Sequence, residues 1–322
     1  MRSSHKRKQI NSNLISYGDG IFAIDSGYIR KEFASIHLVV EKNKVAIIDT
    51  GTNFSINNVL DALKDLNLTK LSVEWIFLTH IHLDHAGGAG KLMGIFVNAK
   101  LAVHSRGAKH MINPKKLWEA VIKVYGLKTA QQQYDELVPI PEERIVEIGE
   151  GDTLYLEKRA FEFWNAPGHA NHHVFIRDTK TKSIFTGDTY GISYKEMDTA
   201  NGSFAFISST PSQFNPEEAQ NSIRRIMNSK APMVFLTHYS QLTNIKSTGN
   251  CLLKLVNDYV KIAEVYEKTE EPIKNIERSL TDLLCQRSQE HGVVLPKKKL
   301  AQVFQFDIKL NTSGLINWLE RR

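Results

Sequence analysis

Between positions 79 and 88 the chain reads Thr-His-Ile-His-Leu-Asp-His-Ala-Gly-Gly, so that three imidazoles (His80, His82, His85) and one carboxylate (Asp84) fall within six residues. Imidazole nitrogens suit zinc, iron and similar ions, and a carboxylate adds a harder anionic oxygen. His80 and His82, two residues apart, can point the same way from an extended segment. Asp84 and His85 follow where the chain must turn, and Gly87 and Gly88 let backbone approach closely. Four ligand-type groups with no spacer suggest two ions rather than one. A polar loop of hydrogen-bonded histidines is the plain alternative. Against it stand four other apolar runs that stop at the same residue types: 45–48 at Asp49, 161–166 at Pro167-Gly168-His169, 184–185 at Thr186-Gly187-Asp188 and 233–236 at Thr237-His238. In an α/β sheet, ligands bind at the carboxyl ends of strands.

Those ends need strands to carry them. Runs 21–25, 35–40 and 44–49, rich in Ile and Val and set between Gly- and Lys/Asn-containing turns, read as strands. Residues 54–67 place Ile56, Val59, Leu60 and Leu63 at helical spacing. A strand at 75–78 leads into Thr79, a short helix covers 87–96, and 100–104 is a further strand. Residues 105–145 are rich in Lys and Gln, with Leu117, Ala120, Val121 and Val124 at helical intervals, and read as a helical insertion. Strands resume at 153–156, 160–166, 173–176 and 183–186. Asn215-Pro216-Glu217-Glu218 opens a helix over 216–228 with a capping side chain, Pro at the first helical position and acids in the first turn. After a strand at 233–236, helices are expected at 252–268 and 273–288, then a β-like segment at 303–310 and a short final helix. Strands alternating with helices in two β-rich halves define an α/β protein.

Size and charge narrow the function classes. At 322 residues, with 42% apolar and 24% charged, the chain is an ordinary globular protein of one large or two small domains at about 150 residues each. Of the +6 net charge, four cations (Arg2, Lys6, Arg7, Lys8) stand in the first nine residues, and the rest holds 37 basic against 35 acidic groups. The excess is mostly a tail, which argues against nucleic acid as a partner. Cys251 and Cys285 form no Cys-x-x-Cys pair, so neither a disulfide framework nor a cysteine zinc site organises the fold. No apolar stretch suits a membrane span, and no apolar segment follows the basic start, so a cytoplasmic protein is expected.

The segment 79–88 resembles the signature of the metallo-β-lactamase superfamily, and Asp49, His169, Asp188 and His238 stand in that superfamily's order. Further likeness to a little-characterised archaeal and bacterial hydrolase branch lies in Ala102-Val103-His104-Ser105-Arg106-Gly107-Ala108-Lys109-His110, the pairs Leu117-Trp118 and Tyr125-Gly126, Pro167-Gly168-His169-Ala170-Asn171-His172-His173, and an ending with Asp307, Leu310-Asn311, Gly314-Leu315 and Trp318-Leu319. The resemblance implies an αββα sandwich of two face-to-face sheets, here with a helical insertion and a C-terminal helical extension. It assigns His80, His82 and His169 to a first metal, Asp84, His85 and His238 to a second, and Asp188 to a bridge between them. Asp49 would order the ligand loop. The cofactors would be two divalent ions, zinc foremost with iron or manganese as alternatives.

Two such ions sharing a water lower its pKa to about 7, giving hydroxide for attack on a carbonyl or phosphorus. Asp84 and Asp188 are the candidate proton acceptors. The expected function is a dinuclear hydrolase of a small ester-like substrate, whether thioester, lactone or phosphoester. The alternatives are a glyoxalase II-type thioesterase, a persulfide dioxygenase with one iron, and a non-catalytic metal-stabilised binding module. His172, Tyr190 and Tyr239 are candidate substrate contacts, with core packing favoured for the tyrosines; His173, which starts an apolar run, ranks below His172. The domain plan is a basic disordered tail over 1–13, a catalytic domain over 14–249 and a helical extension over 250–322. The extension carries an apolar stripe (Leu252, Leu255, Val256, Tyr259, Val260, Ala263, Tyr266) that must pack on something: as a lid over the substrate with the insertion, as a stabilising flank, or as a homodimer interface.

Overall fold

Segments far apart in the chain assemble into two units, so that each unit is built from several interleaved stretches. The computed structural model describes residues 8–11 and 14–322. One unit holds the described residues up to Asn165 together with 174–185 and 237–240, and the other holds 166–173, 186–236 and 241–322.

In the first unit, eight strands form one sheet in chain order: β1 (Lys8–Asn11), β2 (Leu14–Gly18), β3 (Ile21–Asp25), β4 (Ser35–Glu41), β5 (Lys44–Ile48), β6 (Val73–Phe77), β7 (Lys100–His104) and β8 (Ile145–Ile148). Short turns keep β1 to β5 antiparallel. From β5 onward the pairing is parallel, which requires a crossover between each pair. Helix α1 (Ile56–Asp65) supplies the first, the single turn α2 (Leu83–Ala86) with α3 (Ala89–Ile95) the second, and α4 (Ser105–Ile112), α5 (Lys115–Tyr125) and α6 (Leu127–Tyr134) the third. These last three are the expected helical insertion. Val59, Leu63, Leu92 and Met93 on the helices pack with Val45, Ile47 and Ile76 of the sheet in one buried core.

On the sheet's other face lie β9 (Thr153–Leu156), β10 (Arg159–Asn165), β11 (Val174–Asp178) and β12 (Ile184–Gly187), paired antiparallel. Phe77 of β6 meets the rings of Phe161 and Phe163 of β10 edge-on at centroid distances of 5.2 and 5.3 Å. Arg159 forks onto both oxygens of Asp178 at 2.9 and 2.6 Å and donates to the Asp19 carbonyl at 2.6 Å, so this buried cation is both paired and hydrogen-bonded. Burial pushes the His37 imidazole down to about 3, so its ring is neutral in the core.

The second unit holds the hairpin β13 (Ile192–Thr199) and β14 (Gly202–Phe206), helix α7 (Pro216–Asn228), strand β15 (Val234–Leu236), and three long helices α8 (Ile245–Tyr266), α9 (Pro272–Glu290) and α10 (Lys297–Arg321). The Asn215 side chain accepts from the amides of Glu217 and Glu218, the cap expected for α7. Leu252, Leu255, Val256, Tyr259 and Ala263 of α8 are buried, and α8 packs on α7, α9, α10 and β14. The chain therefore covers that stripe itself.

The expected strand at 303–310 is instead the middle of α10. Phe304, Phe306, Ile308 and Leu310 alternate as in a strand, but the buried face is Leu300, Phe304, Asp307, Ile308, Asn311, Gly314, Leu315 and Leu319. Those residues, with the buried Thr312, follow a helical period that the polar members Asp307, Asn311 and Thr312 conceal. Residues 1–7 and 12–13 of the expected tail lie outside the described residues, whereas Lys8–Asn11 is a strand paired with β2. No helix among the described residues is long and apolar enough to cross a membrane.

Replacing Phe77 with Ala removes the ring that joins the two sheets of the first unit. An unfolding free energy lower by about 3–5 kcal/mol is expected from chemical denaturation.

Candidate metal centre

Asp49 follows β5 in a left-handed conformation, φ 57°, fully buried. Its amide donates to the Phe77 carbonyl at 2.9 Å. Its Oδ1 accepts the Thr79 amide at 2.8 Å, and the Thr79 hydroxyl lies 3.0 and 2.9 Å from the two oxygens. Its Oδ2 also accepts from His85 Nδ1 at 2.8 Å and from the Thr237 hydroxyl at 2.9 Å. One acceptor-only side chain thus ties together the ends of β5 and β6, the α2 turn, and the residue before His238. The backbone reinforces this: the amide and hydroxyl of Thr50 both donate to the His85 carbonyl, at 2.6 and 2.8 Å. The Ser35 amide donates to the Thr237 carbonyl at 2.8 Å.

The rings so held are also oriented. His85 Nδ1 is on Asp49, and His238 Nδ1 is on the Phe33 carbonyl at 2.9 Å. Both partners only accept, so each Nδ1 carries the proton. The Nε2 atoms point at one carboxylate: Asp84 Oδ2 lies 3.7 Å from His85 Nε2 and 3.3 Å from His238 Nε2. Asp84, His85 and His238 form a group whose ligand atoms lie within 4.8 Å of one another. The Thr79 hydroxyl, its proton given to Asp49, lies 3.1 Å from His80 Nδ1, and His80 Nε2 is 2.9 Å from His82 Nδ1. The Asp84 side chain is 21% exposed, whereas His85 is sealed, so this cluster reaches solvent along Asp84.

The second unit repeats the pattern. His169 Nδ1 donates to the Ser208 carbonyl at 2.8 Å, and its Nε2 lies 3.6 Å from Asp188 Oδ2. The loop is fixed by Thr210 and Ser222, whose hydroxyls donate to the carbonyls of His169 and Pro167, each at 2.7 Å. Gly168 has φ 122°, and a Cβ there would stand 2.3 Å from the Ala219 backbone of α7, so only glycine fits. His173 Nε2 accepts the Asp188 amide at 3.2 Å. That gives His173 the positioning role that its place at the start of an apolar run hid.

These contacts test whether metal fits. A neutral imidazole with its proton on Nδ1 presents a lone pair at Nε2. Three such lone pairs face carboxylate oxygens, a repulsive arrangement unless each ring is doubly protonated or a cation lies between. Crowding several buried imidazolium rings is strongly disfavoured, whereas histidines held at one nitrogen and aimed with the other are the usual supports of a metal site. The donor set fits divalent ions.

Of the three candidate substrate contacts, Tyr190 is fully buried and gives its hydroxyl to the Ile245 carbonyl at 2.5 Å. Tyr239 and His172 are buried beside His238 and His169 in the chain. Another group, unmarked by any motif, borders the first cluster. Phe33 packs edge-on against the His238 ring at 5.1 Å, Tyr28 packs on Phe33 at 5.7 Å, and the hydroxyls of Tyr28 and Tyr134 are 2.6 Å apart. Tyr134 comes from α6. Burial raises its phenol well above the usual tyrosine range, and the charges of Tyr28, Tyr125 and Asp84 raise it further.

The model of the metallo-beta-lactamase superfamily matches residues 29–238. The chain is 26% identical over 226 residues to a metallo-beta-lactamase fold-containing protein, ST1585, of Sulfurisphaera tokodaii, covering 68% of this chain and 78% of that one. It is 29% identical over 170 residues to hydroxyacylglutathione hydrolase 1 of Vibrio vulnificus, covering 50% of this chain and spanning about half (53%) of that relative. Among solved structures, the metallo-beta-lactamase family protein TTHA1429 from Thermus thermophilus superposes with a TM-score of 0.62 over 95% of both chains at 15% identity, a likeness of fold alone. The protein belongs to the metallo-beta-lactamase superfamily. Its fold is the expected αββα sandwich with C-terminal helices, and its relatives include hydroxyacylglutathione hydrolases.

Asp49→Asn places an amide where His85 Nδ1 and the Thr237 hydroxyl now find an acceptor. Metal affinity is expected to fall about 10–100-fold, as read by chelator competition, with the far-UV circular dichroism spectrum unchanged.

Proposed function

We propose that the two clusters serve one dinuclear centre: His80, His82 and His169 for one ion, Asp84, His85 and His238 for the other, and Asp188 between them. The observation that supports this most is the thrice-repeated imidazole, anchored at Nδ1 and aimed at a carboxylate with Nε2. Divalent ions held there, zinc foremost, would supply an activated water and a Lewis-acidic contact for a substrate oxygen. Asp84, the more exposed carboxylate, would accept a proton there, with Asp188 as the second candidate. His85, His238 and His169 hold fixed orientations, so little rearrangement is needed as charge develops.

The reaction is hydrolysis of a small ester-like substrate. Among the candidate classes a thioester ranks first, because several relatives are hydroxyacylglutathione hydrolases. Tyr28 and Tyr134 form the polar element beside Asp84 and His238 and would hold the substrate's carbonyl or carboxylate oxygen, with Phe33 walling the same side. A hydroxyacylglutathione thioester, a lactone and a phosphodiester are the first probes.

Metal content of protein purified without a tag or added metal decides the first point. About two equivalents of zinc, manganese or a mixture are expected; one equivalent of iron with oxygen consumption on persulfides would replace this reading with the dioxygenase. Asp84→Ala and Asp188→Ala are expected to lower kcat by about 10²–10⁴-fold with the fold retained. Full turnover in both variants with metal bound would overturn the assignment, and bound metal without turnover on any probe would favour the binding module. Tyr134→Phe should raise KM by up to about tenfold with kcat little changed, the effect of one lost hydrogen bond.

A further inference from the structure

The C-terminal helix α10 carries two features that the proposed chemistry leaves unused: a buried amide at Asn311 and a glycine at 314 on the same face. Both bear on the segment 207–210. Asn311 Oδ1 accepts the Ser209 amide at 2.7 Å and lies 3.1 Å from the Ser209 hydroxyl, which also reaches the Asn311 carbonyl at 3.1 Å. Asn311 Nδ2 donates to the Ile207 carbonyl at 3.1 Å. Gly314 lets the helix lie directly on that backbone, since a Cβ there would stand 2.4 Å from the Thr210 carbonyl oxygen and 2.8 Å from that of Ser209. The same segment grips His169 from both sides, the Ser208 carbonyl on its Nδ1 and the Thr210 hydroxyl on its own carbonyl. Asn311 is 1% exposed and Gly314 is buried, so no solvent competes for these contacts.

We infer that α10 is the positioning element for His169: Asn311 and Gly314 set the height of the Ser208 carbonyl, and this carbonyl fixes the proton on Nδ1 and the direction of Nε2. The inference rests on His169 being a metal ligand, as proposed above. The helix then governs the affinity of one of two metal sites rather than only the stability of the unit. Tyr194 strengthens the anchorage by donating to Asp307 Oδ1 at 2.8 Å, one helical turn before Asn311.

The test is metal affinity of the full-length protein, measured with zinc alone by chelator competition, alongside thermal unfolding of the metal-stripped form. Asn311→Ala and Gly314→Ala are expected to weaken one equivalent by about 10–100-fold and leave the other in place. Leu300→Ala, on the same helix but away from the segment 207–210, is the control: it lowers the unfolding temperature and keeps both affinities. Unchanged zinc affinities in both site variants, or an equal loss in Leu300→Ala, would overturn the inference. Wild-type protein that binds no zinc, iron or manganese would instead remove the metal reading itself, and this inference with it.

Discussion

The Asp49 carboxylate is the interaction on which the first cluster depends. It accepts from the Thr79 amide and hydroxyl, His85 Nδ1 and the Thr237 hydroxyl. These groups come from three chain segments, each ending or turning at a candidate ligand. A carboxylate is suited to the task because both oxygens accept and neither donates, so every partner must present a proton. That requirement fixes the protonated nitrogen of His85 and, through Thr79, the arrangement at His80. The left-handed conformation of Asp49 is local strain held in place by those same bonds.

In the second unit backbone carbonyls take over that role. His169 is oriented by Ser208, as His238 is by Phe33. A carbonyl cannot move without its strand or loop, so the rigidity of the imidazole is that of the packing behind it. Around His169 that packing is α7, which closes on Gly168, and α10, which closes on residues 207–210. Helix α10, at the end of the chain, thus bears on the segment that holds His169 as well as on the core. The stripe on α8 packs on neighbouring helices and β14, which accounts for its apolar composition.

Most of the frame was legible from the sequence, because fully buried strands and one-sided helices leave strong periodic signals. β3, β4, β5 and β7, the cap of α7 and the helical insertion stand where hydrophobic patterning and turn residues put them. Patterning misled at α10, where Asp307 and Asn311 occupy buried positions and break the apolar period that would have marked a helix. The hairpin β13–β14 left too weak an alternation to read, since Glu196 stands where the period of Ile192 and Tyr194 calls for an apolar residue, and Gly202 leaves the first such position of β14 without a side chain. Tyr28 and Tyr134, 106 positions apart, show no mutual relation along the chain.

The sequence by itself determined the chemistry on offer. Residue types that bind metal stood at strand ends in a recognisable order, because ligand identity is a local property that must be written in the chain. Tertiary structure alone decided which nitrogen of each histidine is committed and to what. It also decided that His173 supports Asp188 and that α10 bears on the His169 loop. Those facts depend on acceptors brought from distant segments, Phe33 for His238, Ser208 for His169 and Asn311 for Ser209. Backbone carbonyls carry no side-chain signature, and Asn311 stands 102 positions from Ser209, so no pattern in the sequence could announce these pairings.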